Sequence, residues 1–273
     1  MCKIDISRLS FNHMTAKKYD LYSLVDACSH LGIRYVGMWR HKIAEVGLEQ
    51  AANLLRTYGI RASSLCRGGM FPARNEKEFA DHIDDNKRAI EEAAYIDAEV
   101  LVLVCGPAAD KDLSKARYMV EKGIDALLPY ARSCGIRLGI EPMHPVFASD
   151  RSVIVTMEQA NDLIDKFNDE YLGLVLDTFH IWWDPKIDEQ IRRAAGRILG
   201  FHVNDYPRVV DRSPLVAREM MGKGVIDIRS IRIAVESAGY IGPIEVEIFN
   251  DQLWNMPLSE LLSYTKESFL QYV

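Results

Sequence analysis

The sequence predicts one α/β domain, a single (β/α)8 barrel that occupies residues 1–273. Strand candidates alternate strictly with amphipathic helical stretches, which implies right-handed βαβ units. Two of the strand candidates, VLVLVC and LGLVLD, are continuous apolar runs, as expected of parallel strands buried on both faces. Because about eight such units fit into 273 residues, a closed barrel is favoured over an open sheet.

The eight strand candidates are apolar or alternating segments bounded by turn residues and by helical periodicity. They lie at about 5–12, 34–39, 60–66, 100–105, 137–142, 172–178, 200–204 and 244–249. Between them, helical spacing of apolar residues is clearest in 48–55 and in 187–198. No segment has the composition of a linker, so we expect one domain.

Short boundary signals support this order of elements. The phrase GIR recurs at 32–34, 59–61 and 135–137, each time after a helical segment and before a strand candidate. Glycine ends helices well because it accepts the left-handed conformation. Thr156 and Gln159 predict a capping box at a helix start. The alternative fold is a doubly wound open sheet, but no GxGxxG motif follows its first strand, and Gly68-Gly69 is too sparse for a phosphate loop.

Composition and charge argue against several classes of protein. The net charge is −6 with no basic block, which disfavours nucleic acid and anionic membranes as partners. No apolar run approaches the roughly 18 residues of a membrane span, and the start MCKIDISRLS lacks a signal-peptide core. We expect reduced thiols and a cytoplasmic location because the cysteines are odd in number and form no CxxC pair. They are Cys2, Cys28, Cys66, Cys105 and Cys134.

Polar side chains end or occupy four consecutive strand candidates. They are Glu141, Asp177, His202 and Glu247. Each alone is weak evidence, since a strand-end Asp often caps a helix and a His in an apolar strand is often a core residue. In a barrel, however, the carboxyl ends of the strands form the active site. Three carboxylates meeting there would repel one another, and a cation resolves that conflict. Oxygen ligands with one imidazole favour one Mn²⁺ ion, with Mg²⁺ and Co²⁺ as alternatives.

The stretch GIEPMHP places His144 three residues after Glu141 and between two prolines. Histidine titrates near neutral pH, so His144 is a candidate catalytic base beside the metal. The alternative is that His144 only supports another site residue by hydrogen bonding.

Four motifs carry a resemblance to a known group. GIEP, LDTFH, FHVNDYPR and EVEIFN stand in the order and spacing of the sugar phosphate isomerase/epimerase superfamily, the xylose isomerase-like TIM barrels, and the resemblance covers essentially the whole chain. It implies one divalent metal bound by Glu141, Asp177, His202 and Glu247. It also implies that the pair Glu141 and Glu247 exchanges the substrate proton, and that His180 and Arg208 bind the substrate.

One departure points to a subgroup. Ketose 3-epimerases of the superfamily tend to follow the first Glu with Pro-x-Asn-Arg, whereas this chain has Pro-Met-His-Pro. EPMHP, MMGKGVIDI and the leading segment RLSFNHMTAKKYDLYSLVDACSHLGI resemble the alpha subunit of bacterial C-glycoside deglycosidases. That resemblance implies 3-oxo-C-glucosides of aromatic aglycones as substrates, a small beta subunit as partner and a hetero-oligomer.

The residues therefore predict chemistry at a carbon next to a sugar carbonyl. The metal stabilises negative charge on the carbonyl oxygen, and His144 or a ligand Glu removes the neighbouring proton. Elimination of the group at C1 would make the chain a carbon–carbon lyase, the leading hypothesis. Reprotonation would make it a ketose isomerase or epimerase. Trp182 follows the substrate-binding histidine and is a candidate wall for the sugar or aglycone. Trp39 and Arg67 end strands and are candidates for the rim.

Two other classes remain as alternatives. A DNA-repair endonuclease of the same superfold would need a histidine-rich multi-zinc cluster and a basic groove, which seven histidines and a net charge of −6 disfavour. A metal-free binding module on the same scaffold is the other. The longest connection, about 206–226, contains glycines that suit a lid, and the alternative for it is an ordinary surface excursion.

Overall fold

The computed structural model describes residues 4–273 and confirms a closed barrel of eight parallel strands in chain order. Each strand pairs with the next, and the last pairs with the first, Leu9 opposite Ile244. The strands are β1 (Leu9–Asn12), β2 (Tyr35–Trp39), β3 (Arg61–Gly69), β4 (Leu101–Val104), β5 (Leu138–Ile140), β6 (Leu172–Asp177), β7 (Ile198–Val203) and β8 (Ile244–Val246).

Helices link the strands and surround the barrel. They are α1 (Leu21–His30), α2 (Arg40–Val46), α3 (Leu48–Tyr58), α4 (Glu76–Tyr95), α5 (Leu113–Cys134), α6 (Met157–Phe167), α7 (Thr178–Ile181), α8 (Ile187–Arg193), α9 (Ile228–Ser237) and α10 (Leu258–Tyr272). Their buried faces are apolar and pack on the strands as one continuous core. Burial of that surface is the main favourable term in folding.

Local signals in the sequence set the helix ends. The Thr156 hydroxyl accepts from the Gln159 N–H over 3.2 Å, as predicted, and the Gln159 side chain accepts from the Val155 N–H. Gly59 and Gly135 end α3 and α5 in the left-handed conformation, with φ of +63° and +72°. These two glycines belong to the recurring GIR phrases, so the phrase marks helix ends in the structure as well.

The strands are shorter at some ends than predicted. β1 begins at Leu9 rather than near residue 5, because Ile6–Arg8 form a 3-10 turn capped by Asp5. β5 and β8 end one residue before Glu141 and Glu247. Both carboxylates therefore lie just past the carboxyl ends of their strands, where a barrel places its functional groups.

One carboxylate organises the long connection after β7. Asp205 accepts from the backbone N–H groups of Gly222, Gly224 and Ile226 over 2.8–3.0 Å. Just before these residues, Met220 and Met221 are buried in the core. The second half of 206–226 is therefore bound firmly to the barrel, whereas residues 208–211 are exposed.

The described part of the chain also bears on two composition arguments. Within residues 4–273 no helix is both long enough and apolar enough to cross a membrane. Cys28, Cys66, Cys105 and Cys134 are free thiols, and Cys2 lies outside the described residues.

We predict that Asp205→Ala lowers the free energy of unfolding by roughly 3 kcal/mol, because three backbone N–H groups lose a buried, charged acceptor. Urea denaturation measures the loss, and hydrogen exchange of residues 219–226 should accelerate at the same time. Asp211→Ala is the control, because Asp211 is exposed in the same connection. Equal stability of the two variants would contradict the anchoring role.

Candidate metal centre

Four side chains from consecutive strands meet in the mouth of the barrel. Ligand atoms of Glu141, Asp177, His202 and Glu247 all lie within 4.8 Å of one another, and all four residues are buried. His202 Nδ1 is 3.6 Å from Glu141 Oε1 and 3.8 Å from Glu247 Oε2. The structure therefore brings together the complete set that the sequence predicts.

The charges and the bonding of this set fit a divalent cation. Glu141 Oε1 and His202 Nδ1 are buried and have no hydrogen-bond partner among residues 4–273. Such atoms are rare in folded proteins because each costs the desolvation of a polar group. Burial raises the pKa of Asp177 to about 7, although Arg218 lies beside it. A surplus of buried negative charge thus surrounds Glu141 Oε1 and His202 Nδ1. Both atoms can bind a metal, and neither has a hydrogen-bond partner among residues 4–273.

Asp177 is held more tightly than the two glutamates. Its Oδ1 accepts from the Phe179 N–H and from Asn204 Nδ2, each over 2.8 Å. Its Oδ2 accepts from Arg218 Nη1 over 2.9 Å. Glu141 and Glu247, in contrast, line the cavity above the centre. Asp177 is therefore suited to a fixed ligand, and the glutamates are suited to contact with a substrate.

A fourth acidic side chain, Glu245, lies beside the centre and was not predicted. It is buried in β8, and its Oε1 is 3.7 Å from His202 Nε2. Asn12 Nδ2 and Ser63 Oγ donate to it, each over 2.6 Å. Gly37 leaves room for it, because a Cβ there would lie 2.0 Å from Glu245 Oε1. Glu245 is beyond hydrogen-bond distance of His202, but its negative charge favours a proton on Nε2, which would leave Nδ1 available to a metal.

Arg218 also reaches the centre and was not predicted to do so. It is only 4% exposed, and its Nη1 donates to Asp177 Oδ2 over 2.9 Å and to Glu247 Oε2 over 2.8 Å. Its guanidinium lies between the rings of Phe179 and Phe249, at 5.2 and 5.0 Å from their centroids. Arg218 therefore neutralises part of the carboxylate charge.

His180 has one nitrogen fixed by the backbone. The His144 N–H donates to His180 Nδ1 over 3.1 Å, so the proton of the neutral ring lies on Nε2. Burial, followed by the charge of Arg218, lowers the pKa of His180 well below its usual value. Nε2 lies 3.1 Å from Arg218 Nη2, which is also a donor. One oxygen acceptor placed beside the two nitrogens, within hydrogen-bond distance of each, would accept from both.

The ring of His144 lies to the side of this arrangement. Its Nδ1 accepts from the Val146 N–H over 3.1 Å. The ring packs edge-on to Trp183 and stacks on Tyr206, with centroids 5.7 and 6.1 Å away. His144 is absent from the residues that line the cavity above the carboxylates. The structure thus places its backbone, rather than its ring, in contact with a site residue, and its role as base stays a prediction.

The predicted substrate-binding residues His180, Trp182 and Arg208 are likewise absent from the residues that line this cavity. Trp182 is half-buried with its ring 5.0 Å from that of Tyr206, and Arg208 is exposed. The structure brings a different arginine, Arg218, to the centre. Counting six residues from His202 led to Arg208, whereas the connection leaves the barrel near 206 and returns to it only near 217.

A cavity of about 220 Å³ opens above the centre. Glu141, Glu247 and Arg218 supply polar groups to its lining. The remaining lining residues are Met14, Trp39, Cys66, Arg67, Val104, Met143, Phe147, Arg151, Leu215 and Phe249. A few convergent polar groups within mostly apolar walls are typical of small-molecule sites.

The fold and the site define a class: a (β/α)8 barrel whose mouth gathers three carboxylates and one imidazole that fit a divalent cation. Comparison with known families agrees, since the profile described as "Xylose isomerase-like TIM barrel" matches residues 25–268. The chain belongs to that family, and it is an enzyme like its characterised relatives.

Three similar proteins extend the comparison. Inosose isomerase of Bacillus velezensis is 25% identical over 280 residues, which cover 96% of this chain and 95% of that protein. The crystal structure of protein SMc04130 from Sinorhizobium meliloti 1021 has a TM-score of 0.95 and 39% identity, and the match covers 98% and 99% of the two chains. The IOLI protein, solved with a bound zinc atom, has a TM-score of 0.83 and 22% identity, with 97% and 98% covered.

We predict that Glu245→Gln weakens the affinity of chelator-stripped protein for Mn²⁺ or Zn²⁺ by roughly tenfold or more, because His202 loses the carboxylate that orients it. Titration calorimetry measures the affinity. The control is Glu99→Gln, since Glu99 precedes β4 and lies at the opposite end of the barrel. If both variants bind metal as the unmodified protein does, Glu245 has no part in orienting His202.

Proposed function

We propose that the chain is a divalent-metal-dependent isomerase or epimerase that moves a proton next to the carbonyl group of a sugar or cyclic polyol. The observation that carries this proposal is the convergence of Glu141, Asp177, His202 and Glu247 beneath a cavity of sugar-ligand scale. The similarity to inosose isomerase over nearly the full length supports it. This choice reverses the order of the two hypotheses drawn from the sequence.

The metal is the first part of the proposal. We assign it to the four convergent side chains, and we favour Mn²⁺ because three of the four donors are carboxylates. The zinc atom of the IOLI protein supports a divalent ion and makes Zn²⁺ the main competitor. Such an ion, when bound, supplies Lewis-acid polarisation of the substrate carbonyl.

The surrounding side chains orient the substrate. We place its carbonyl oxygen beside the Nε2–H of His180 and the Nη2–H of Arg218, because these two donor nitrogens lie 3.1 Å apart and one oxygen can accept from both. The neutral state of His180 suits it to donate a hydrogen bond without changing its charge. Negative charge that develops on the oxygen would then be stabilised by preorganised donors.

Proton transfer falls to the two glutamates. Glu141 and Glu247 line the cavity, whereas Asp177 is held by three hydrogen-bond donors. We propose that one glutamate removes the proton from the carbon next to the carbonyl and that either glutamate returns it. Return to the other face of the carbon would give epimerisation, and return to the neighbouring carbon would give isomerisation.

We predict that metal-loaded protein exchanges the proton next to the carbonyl of inosose or a ketose with D₂O, as followed by NMR. Glu141→Gln and Glu247→Gln should each lower that exchange by at least about 100-fold, because they remove a general base. Calorimetry should also show weaker metal binding for both. Glu99→Gln is the matched control. Exchange that survives in both site variants would refute the assignment.

A second candidate is cleavage of 3-oxo-C-glucosides of aromatic aglycones, with a small beta subunit completing a hetero-oligomer. The observation that favours it is the aromatic group around His144, formed by Phe179, Trp183 and Tyr206. Stacking surfaces of this kind suit a flat aglycone. Here His144 would act as the base or would protonate the departing aromatic carbon.

His144→Ala separates the two candidates. We predict unchanged metal affinity and a D₂O exchange rate within about tenfold of normal on a ketose, because His144 is absent from the cavity lining. A loss of about 100-fold or more, the scale of a removed base, would return His144 to catalysis. Release of aglycone from a 3-oxo-C-glucoside, followed by chromatography with and without a beta subunit, tests the second candidate directly.

A further inference from the structure

Two arginines stand at the cavity without a matching set of carboxylates. Arg67 lies in β3 and Arg151 in the connection between β5 and α6. Both line the cavity of about 220 Å³ above the metal centre, and both line an adjoining cavity of about 330 Å³. They therefore stand at the junction of the two spaces.

The bonding of these arginines is incomplete. The Arg67 guanidinium makes no hydrogen bond or ion pair with any of residues 4–273, although the side chain is only partly exposed. Arg151 Nε is buried without a hydrogen-bond partner within the same range. The only carboxylate in ion-pair distance of Arg151 there is the largely exposed Asp150, at 3.4 Å. Burial, and next the charge of Arg151, lowers the pKa of Arg67, so the two cations lie close enough to repel.

A neighbouring arginine shows how the chain neutralises a cation that it uses for structure. Arg40 lines the same adjoining cavity, but it donates to both Asp85 and Glu92 through four hydrogen bonds. Arg218 is likewise paired with Asp177 and Glu247. Arg67 and Arg151 thus differ from both other arginines of the mouth in lacking acidic partners of this kind.

We propose that Arg67 and Arg151 bind an oxyanion of the substrate, so that the substrate is an acidic or phosphorylated carbonyl compound. The guanidinium group matches carboxylate and phosphate oxygens in two-point geometry. An anion between the two cations would also relieve their mutual repulsion. This inference rests on the proposed function for the position of the carbonyl group, and it adds the chemical class of the substrate.

The placement of the groups gives the substrate a direction. Glu141, Glu247 and Arg218 line only the cavity of about 220 Å³, whereas Arg67 and Arg151 also border the second one. The carbonyl end therefore lies over the metal centre, and the oxyanion lies toward the junction. Trp39 and Cys66 line both cavities and form the wall that the two ends share.

Calorimetry with three matched ligands tests the inference: D-fructose, D-fructose 6-phosphate and D-fructuronate. We expect at least one of the two charged ligands to bind about tenfold or more tightly than fructose, on the scale of charge-assisted hydrogen bonds. Preference for the phosphate, for the carboxylate or for both identifies the oxyanion. Equal affinity for all three ligands, or affinity that is highest for fructose, overturns the proposal.

Arg67→Gln and Arg151→Gln should each reduce that preference for a charged ligand over fructose to within about threefold. Arg56→Gln is the control, because Arg56 is exposed on α3, its side chain donates to Asn53, and it lines neither cavity. Added salt should weaken binding of the charged ligands to the unmodified protein in the same direction. A preference that persists in both site variants refutes the assignment to these arginines.

The same titrations on chelator-stripped protein separate this inference from the proposed function. The preference for an anion belongs to two side chains and should survive removal of the metal. If metal-loaded protein exchanges no substrate proton with D₂O, the proposed function fails, and the binding ratio still decides the role of Arg67 and Arg151.

Discussion

The repulsion among three carboxylates buried at one end of the barrel is the constraint on which the arrangement of the mouth depends. Glu141, Asp177 and Glu247 come within 4.8 Å of one another with a single imidazole between them. Charges so close and so poorly solvated demand positive charge nearby. Arg218 supplies part of that positive charge through its ion pairs with Asp177 and Glu247. Glu141 Oε1 is left without a hydrogen-bond partner among the described residues. The negative charge that Arg218 does not neutralise is the physical basis for a divalent cation.

The position of Arg218 depends on a chain of contacts that begins outside the centre. Asp205 fixes the returning half of the long connection by accepting backbone N–H groups of 222, 224 and 226. Asn250, which follows β8, holds the carbonyl of Arg218 over 2.9 Å. Hydrogen bonds to Asp205, which follows β7, and from Asn250, which follows β8, thus hold the segment that carries Arg218 next to the carboxylates. A cation so placed serves both charge balance and contact with a substrate, because its second nitrogen faces His180.

Sequence alone predicted the barrel and the four convergent side chains because both follow from periodicity and from the rule that functional groups lie at strand ends. It missed Glu245 because IEVEIFN offers two acidic residues on the same face of one strand, and only the register shows that one lies beneath the other. It missed Arg218 because a loop carries no periodicity from which its return can be counted. Two prolines restrict the backbone around His144 without fixing which way its ring turns, so the role of His144 as base stays a prediction.

The arginines of the mouth fall into two groups. Some are each paired with two carboxylates of the protein, and others have no such double pairing among residues 4–273. Arg40 and Arg218 are each bonded to two carboxylates, so they complete the charge balance of the fold. Within residues 4–273, neither Arg67 nor Arg151 is bonded to two carboxylates, although the net charge of the protein is −6. Keeping two cations together with only the largely exposed Asp150 in ion-pair distance among residues 4–273 costs stability, since like charges repel in a partly desolvated cavity. That cost is offset where an anionic ligand binds. The positive potential of the two arginines would also attract the anion toward the metal centre.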